Sequence, residues 1–483
     1  MMGLSDTISR RDILRAGAAA ACTLTCGGKS LLSSSQCAAQ SSPSPDSLRF
    51  HHTGYLGWIT DLATEPEPAA QWPSMRLDAG LLADYTRTFE VMEMLGFNEI
   101  SIWGFYVSRS WPVDIGSSVA PDRGYSVEQL IDAAHRRGIR VYSGLGVYSW
   151  GFEDIIKAHP NLARTSDQAM CASEPRAWEW MQRVIDFVFS RFEIDGVSMQ
   201  SADQGRCRCS QCVRYSDAEY HATLNIRVAE YIRSRWPDKT IGLNSWGLRF
   251  SDGKALPLLV RMSDKVDYII DAHDSSRDGD PGYRRKLIES LHCDFGTLGG
   301  PQVEPPQHWK RNRWFLPTAR RVGEHLEHLF IDGGRACEFF FHILANPGDE
   351  LTMWLAGKVL SEPATPWREH LKWCIEKLYN VSEPYIRDDL AEVFLRAEDA
   401  YFRYVPGSMC GTVSLEPLVS DHPGPPIYLA DRLGDAQLNA YGQEMVSIRT
   451  KLEKLSARML RRDKIENIVT CINGCLKDLL PTI

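Results

Sequence analysis

The chain has 483 residues, of which 43% are hydrophobic and 24% are charged, and its formal net charge is −8. A mildly acidic chain with scattered lysine and arginine argues against nucleic acid as the main partner. No segment reaches the roughly 18 uninterrupted apolar residues that a transmembrane helix needs, so we expect no membrane span.

The first residues have the pattern of an export signal. Arg10 and Arg11 precede a run of small apolar residues, 16–22, which is the arrangement of a twin-arginine (Tat) signal. We therefore predict a signal peptide over residues 1–40 and a Ser/Pro-rich linker over 41–49. The mature protein is then secreted, either periplasmic or extracellular.

From residue 50 to about 350 the chain repeats one unit, a short apolar run followed by a turn and an amphipathic helix. This alternation predicts a parallel sheet with right-handed crossovers. Eight such units over about 300 residues fit an α/β fold of the (β/α)8 TIM barrel type. An open doubly wound sheet is the alternative, but the Gly-rich dinucleotide fingerprint that would support it is missing from the sequence. The predicted strands are Gly54 to Thr60, Asn98 to Trp103, Arg140 to Val147, Gly196 to Gln200, Thr240 to Trp246, Val266 to Asp271, Phe295 to Gly299 and Arg335 to Phe341.

Helical patterns lie between these strands, and Gly96 and Gly138 stand just past the last turn of two of them, where helices commonly end. The strand pattern stops after Pro363, and only helical patterns follow. We therefore predict a catalytic barrel over 50–362 and a C-terminal helical appendage over 363–483. The predicted helices are Gly80 to Leu95, Ser126 to Arg137, Ala177 to Phe192, Ala218 to Trp236, Ala255 to Met262, Gly282 to Leu291, Thr318 to Ile331, His370 to Tyr379, Ile386 to Tyr404 and Ala436 to Leu460.

The candidate active site lies at the C-terminal ends of the strands, where the βα-loops of such a barrel converge. Asp203 follows the fourth strand and Glu304 follows the seventh. These strands are well separated around the ring, so we expect the two side chains to face each other across a pocket, as the two carboxyls of a glycoside hydrolase do. An N-cap or a loop ion pair is the alternative for Asp203. Predicted substrate-binding residues are Asp271, His273, Asp274 and Glu338, with Trp58, Trp103, Trp150 and Trp246 as sugar-stacking walls.

A group of cysteines follows the fourth strand. Cys207, Cys209 and Cys212 form a CxCxxC pattern, and two thiols separated by one residue are awkward partners for a disulfide. Structural zinc takes four ligands, and Cys171, in the loop after the third strand, supplies a fourth thiolate. We predict a structural zinc site, with disulfides plus a free thiol or an iron–sulfur cluster as alternatives. We expect no organic cofactor.

Four stretches together resemble exported (β/α)8 glycoside hydrolase-like proteins related to alpha-glucuronidases and family 20-type hexosaminidases, in a subgroup with a similar cysteine loop. They are GVYSWGFEDI (146–155), MCASEPRAWEWM (170–181), the CxCxxC loop and NPGDELTMWLAGKVLSEP (346–363). The resemblance covers most of residues 50–380 and implies a glycoside hydrolase of carbohydrate metabolism. Family 20 enzymes carry an adjacent Asp-Glu pair after strand four, whereas this chain has Asp203-Gln204. We therefore do not extend N-acetylhexosamine specificity to this chain from the resemblance.

The leading functional hypothesis is an exported glycoside hydrolase that cleaves a polysaccharide or glycan, with Asp203 as general acid and Glu304 as nucleophile or base. One alternative is a non-catalytic carbohydrate-binding barrel. Another is a polysaccharide lyase that uses Tyr148 or His273 as its base. The sequence leaves open the sugar, the anomeric outcome and the oligomeric state.

Overall fold

The computed structural model describes residues 49–58, 79–104, 121–149, 151–201, 205–245, 255–271, 282–298, 315–339, 347–404 and 435–479. The predicted export signal and nearly all of the predicted linker lie outside this part of the chain. So do the strand-end segments that carry Asp203 and Glu304. The described residues belong to one compact unit that spans Pro45–Ile483.

Eight parallel strands close into a barrel in which each strand pairs with its sequence neighbours and β8 returns to β1. The predicted (β/α)8 fold is confirmed. Apolar and β-branched residues that are buried on both faces form these strands, as in other all-parallel sheets. The strands are β1 His52–Trp58, β2 Glu99–Trp103, β3 Arg140–Val147, β4 Gly196–Ser201, β5 Thr240–Asn244, β6 Tyr268–Asp271, β7 Asp294–Leu298 and β8 Ala336–Phe339.

The described helices lie outside the ring of strands or follow it in the chain. Short 3-10 turns occur at Pro160–Leu162 and Cys212–Arg214. The α-helices are α1 Ala79–Leu95, α2 Pro121–His135, α3 Glu153–Ala158, α4 Pro175–Arg191, α5 Asp217–Arg235, α6 Leu256–Ser263, α7 Tyr283–Ser290, α8 Ala319–Ile331, α9 Pro347–Ser361, α10 Trp367–Tyr379, α11 Pro384–Tyr404, α12 Asp435–Ser456 and α13 Arg462–Leu479. None of the helices in the described ranges combines the length and the apolar character needed to cross a bilayer.

Two long helices were not predicted from the sequence. In α9, Leu351, Met353 and Leu355 are all fully buried, so the helix is apolar nearly all round and lacks the polar face that a periodicity search relies on. In α13 buried residues recur at helical spacing, so the sequence does contain the periodic pattern of a helix there. The last predicted helix nevertheless ends at Leu460. In chain order, α9 is the first described helix after β8, and it completes the set of helices that follow the eight strands.

The inside of the barrel is filled by a few large rings that pack against glycines. A Cβ atom on Gly144 would lie 2.2 Å from the Trp103 ring, and one on Gly242 would lie 2.3 Å from the Tyr268 ring. Both distances are far below van der Waals contact, so only glycine fits beside these rings. The interior is a packed core, as expected for a barrel of this size, and it comprises Leu56, Trp103, Tyr142, Tyr268, Ile270, Leu298 and Ala336.

A network of charged and polar groups closes the N-terminal end of the barrel. The buried Glu99 carboxylate accepts hydrogen bonds from Arg140 (2.9 Å) and Tyr142 (3.1 Å) and contacts His52 Nδ1 (3.1 Å). The His52 ring also stacks on Tyr268, with 4.2 Å between the ring centroids. Each of these buried polar groups has a hydrogen-bond partner, so we assign this end of the barrel a structural role.

The C-terminal helices are attached to the barrel helices by buried polar contacts. Glu398 of α11 is fully buried, and its carboxylate accepts hydrogen bonds from the backbone N–H groups of Arg320 (2.8 Å) and Arg321 (3.0 Å). These N–H groups belong to the first turn of α8, so Glu398 caps that helix from outside. Lys464 of α13 forms an ion pair with Glu350 of α9 at 2.6 Å. The predicted helical appendage is thus packed on the barrel.

Candidate functional site

The structure describes only part of the predicted site. Glu338, Asp271, Trp103 and the four cysteines are described with their side chains, and Trp58 is described only through its backbone in β1. The remaining predicted residues lie outside the described part of the chain, and their roles stay predictions. They are Asp203, Glu304, Trp150, Trp246, His273 and Asp274.

Glu338 lies near the C-terminal end of β8 and points into the barrel, where it is 2% exposed. The side chain of Ser101 on β2 hydrogen-bonds to its carboxyl group, and Asn244 on β5 lies close to it. Its second oxygen, Oε2, has no hydrogen-bond partner within the described residues. The carboxyl group of Glu338 therefore lies inside the barrel, just below the C-terminal ends of the strands.

The environment of Glu338 shifts its titration. Burial raises the pKa of this carboxyl group to about 7, and the hydrogen bond from Ser101 opposes the shift. The negative charge of Glu99 raises the pKa further. A carboxyl group that titrates near neutral pH is able to donate or accept a proton under ordinary conditions, which is the property required of a general acid or base.

Trp103 and Asp271 are also buried. Trp103 is 3% exposed and its ring packs against Gly144 inside the barrel. Asp271, the last residue of β6, is 1% exposed, and the Ser245 hydroxyl donates to its carboxylate at 3.5 Å. Both residues lie at strand ends, as predicted, and their contacts with substrate stay a prediction.

Tyr148 follows β3 and has an unusual backbone conformation, with φ of 65°. Non-glycine residues with positive φ are uncommon and concentrate at functional sites. Burial raises the pKa of its phenol to about 12, so the phenol keeps its proton at neutral pH.

The four cysteines come together as predicted. The sulfur atoms of Cys171, Cys207, Cys209 and Cys212 all lie within 4.8 Å of one another, so the cluster could hold a metal ion. The Sγ atom of Cys171 is 3.7 Å from that of Cys209 and 3.8 Å from that of Cys212. These distances are far longer than a disulfide bond of about 2.05 Å, and none of the four cysteines forms a disulfide.

The protonation of these thiols differs with their surroundings. Burial raises the pKa of the Cys171 thiol to about 12. Burial also acts to raise the pKa of Cys209, but hydrogen bonds from Ser173 and from the backbone of Cys212 and Gln211 outweigh it and lower the pKa to about 5. Since a metal ion binds thiolates, the other thiols of the cluster lose their protons when a cation binds.

Two contributors to the site were not predicted as such. Ser101 lies two residues before Trp103 on β2, so both face the barrel interior, and this alternation was the available signal. Arg206 is 8% exposed, and its guanidinium donates to the backbone carbonyls of Cys212, Tyr215 and Ser216. It fixes the cysteine loop internally.

A surface cavity of about 820 Å³ is lined by residues of α5 and by residues that precede β6 and β7, such as Lys265 and His292. It lies at the N-terminal side of these strands. Glu338 and the cysteine cluster do not line it, so this cavity is separate from the candidate site.

No family model matches the sequence, and no curated protein matches it significantly. Solved structures with a similar fold include a Thermobaculum terrenum O-GlcNAc hydrolase mutant, with a TM-score of 0.48 and 12% identity over 85% of this chain and 77% of that chain. Another is CpGH84B, with a TM-score of 0.47 and 6% identity over 88% of this chain and 67% of that chain. At these identities and TM-scores nothing about this chain follows from the likeness.

Proposed function

We propose that the protein is a glycoside hydrolase that cleaves a polysaccharide or glycan by carboxylate acid/base catalysis. The observation that supports the proposal is the closed barrel, whose β4 and β7 lead to the two predicted acids and whose strand-end face holds a further buried carboxyl group, Glu338, with a pKa of about 7. Burial that keeps one carboxyl group protonated near neutral pH is a recurring feature of glycosidase sites.

In this proposal Asp203 is the general acid and Glu304 is the nucleophile or base, since hydrolysis of a glycosidic bond needs two carboxyl groups on opposite sides of that bond. They follow β4 and β7, which are not adjacent in the ring. Glu338 binds a substrate hydroxyl from the barrel floor. Trp58, Trp103, Trp150 and Trp246 are the proposed stacking residues, and Asp271, His273 and Asp274 the proposed hydroxyl-binding residues.

The test is a panel of plant and algal glycans incubated with the purified protein. A hydrolase releases reducing ends without a new ultraviolet absorbance. Binding of glycans without any release of reducing ends would instead identify a carbohydrate-binding barrel. A product that absorbs in the ultraviolet would identify a lyase, because elimination leaves an unsaturated sugar whereas hydrolysis does not.

The four thiolates are proposed to hold a structural zinc. Four thiolates complete the tetrahedral coordination of zinc and leave no position for water or substrate. The metal would therefore support the neighbouring loops and take no part in bond cleavage. Metal analysis of the purified protein tests this, and zinc in one equivalent per chain is the expected result, whereas iron with acid-labile sulfide would indicate an iron–sulfur cluster.

Export is proposed from Arg10 and Arg11. Replacing both by lysine, as Arg10→Lys with Arg11→Lys, should keep the protein in the cytoplasm because the twin-arginine pathway reads the arginine pair. Fractionation of cells that express the two forms is the measurement. Equal export of both forms would contradict the proposal.

A further inference from the structure

The cysteine cluster joins two separate loops at the strand-end face. The β3 loop, residues 148–174, carries Cys171, and the β4 loop, residues 202–216, carries the other three cysteines. Their strands β3 and β4 are direct neighbours in the barrel. A metal bound to all four sulfur atoms is therefore a covalent-like link between two neighbouring loops.

The spacing of the sulfur atoms fits a single metal ion. Zinc–sulfur bonds are about 2.3 Å long, so the sulfur atoms of a regular tetrahedral site stand roughly 3.8 Å apart. Two of the sulfur–sulfur distances, 3.7 Å and 3.8 Å from Cys171 to Cys209 and Cys212, agree with this value, and all four sulfur atoms lie within 4.8 Å of one another. The ligands of a four-iron cluster each bind a different iron atom and must stand further apart, so the arrangement favours one ion.

Each loop is fixed internally by its own hydrogen bonds. In the β3 loop, the Met170 N–H donates to the Tyr148 carbonyl (2.8 Å) and the Cys171 N–H donates to the Leu162 carbonyl (2.7 Å). In the β4 loop, Arg206 donates to the carbonyls of Tyr215 (3.0 Å) and Ser216 (3.0 Å). Two preorganised loops thus present their sulfur atoms to one point.

Contacts between the loops concentrate around the sulfur atoms. The Arg208 N–H donates to Thr165 Oγ1 across the loops at 2.7 Å, and the same hydroxyl lies 3.5 Å from Cys207 Sγ. Ser173 Oγ of the β3 loop lies 3.6 Å from Cys209 Sγ. The junction of the two loops therefore coincides with the cluster.

We infer that the four-thiolate centre is a single-metal clamp that fixes the β3 and β4 loops to each other and so sets the position of the chain on either side of residues 202–204. One end of that segment is Ser201, whose hydroxyl accepts a hydrogen bond from Asn225 at 3.1 Å. The other end leads through Gly205 into the clamped cysteines. The inference rests on the metal proposed above and adds to it a positioning role for the loop that carries Asp203.

The test is hydrogen exchange followed by mass spectrometry, together with metal analysis, on the purified protein and its Cys171→Ser variant. The variant removes one ligand from the β3 loop, and it should lose the bound metal. It should also lose exchange protection in the β4 loop, 205–216, while strands β6 to β8 keep theirs. Loss of protection confined to the β3 loop would overturn the clamp, because a thiol that only packs locally affects its own loop.

Two controls keep the result interpretable. Cys293→Ser changes a half-buried cysteine outside the cluster and should retain both metal and protection. Treating the wild-type protein with a chelator should reproduce the effect of Cys171→Ser without any substitution, and Co²⁺ added afterwards should restore protection with a thiolate-to-cobalt absorption band. Wild-type protein that holds no metal and takes up no Co²⁺ would refute the clamp. Because these readouts do not involve turnover, they stand or fall separately from the glycosidase proposal.

Discussion

At the scale of single residues, Glu338 makes the most specific prediction. Its folded-state pKa of about 7 lies above the ordinary value of 4.5, so the folded protein binds more protons than the unfolded chain between these pH values. The stabilising contribution is complete below pH 4.5 and is lost as the pH rises through 7. It amounts to up to ~3 kcal/mol.

Glu338→Gln should flatten this dependence, because glutamine resembles the protonated carboxyl group at every pH. The free energy of unfolding, measured from pH 5 to 8, should fall with pH in the wild type and fall less in the variant, so that the variant is the more stable form at pH 8. Glu193→Gln, at an exposed position, serves as the control and should follow the wild type. Parallel curves for Glu338→Gln and the wild type would show that Glu338 is ionised in the folded protein.

Gly144 tests the packing of the barrel interior. Gly144→Ala places a Cβ atom 2.2 Å from the Trp103 ring, and overpacking of this kind costs about 1–3 kcal/mol or more. The midpoint of urea unfolding should fall accordingly. In Gly442→Ala the new Cβ atom meets its nearest neighbour, Leu476, only at 3.9 Å, so this helical control should be neutral or gain up to ~1 kcal/mol. An unchanged midpoint for Gly144→Ala would mean that the ring has room to move.

Some residue contacts could be predicted from the sequence and others could not. Cys171 was expected beside Cys207 because consecutive loops of a barrel are neighbours in space, which follows from strand order alone. The neighbours of Glu338 come from β2 and β5, whose side chains meet only after the ring has closed. Such contacts across a barrel depend on tilt and register, which the strand order does not specify.

At the scale of secondary-structure elements, the contact between α11 and α8 is the one most open to test. Glu398→Gln removes the charge that accepts three hydrogen bonds at the start of α8, two from backbone N–H groups and one from the Arg321 guanidinium. The expected loss of stability is about 1–3 kcal/mol, seen as a lower unfolding midpoint. Glu392→Gln on the same helix removes only exposed ion pairs and should cost less than ~1 kcal/mol. Equal losses of stability in the two variants would show that the buried carboxylate of Glu398 stabilises the protein no more than an exposed ion pair does.

Element boundaries were predictable wherever a pattern had a clear period. The strand β3 occupies its predicted range, Arg140–Val147, because turn residues bound an apolar run on both sides. The helix α9 was missed because burial on nearly all sides removes the alternation of polar and apolar residues on which recognition depends. A helix that is buried on one side only keeps this alternation and can be predicted from the sequence.

At the scale of the whole molecule, closure of the ring brings distant parts of the chain to one face. Strand and helix alternation was sufficient to predict the barrel and the helical appendage. It was not sufficient to predict how the appendage attaches, because Glu398 and Lys464 give no sign in sequence of the helices they contact. Long-range polar contacts of this kind carry no periodic signal.

The central claim is that carboxyl groups at the strand-end face cleave glycosidic bonds, and its most direct test is the rate of reducing-end release by Asp203→Asn and Glu304→Gln. With a glycan that the wild type cleaves, each variant should lose a factor of about 10²–10⁴, while the exposed control Glu193→Gln should keep the wild-type rate. Wild-type rates in both folded variants would contradict the account.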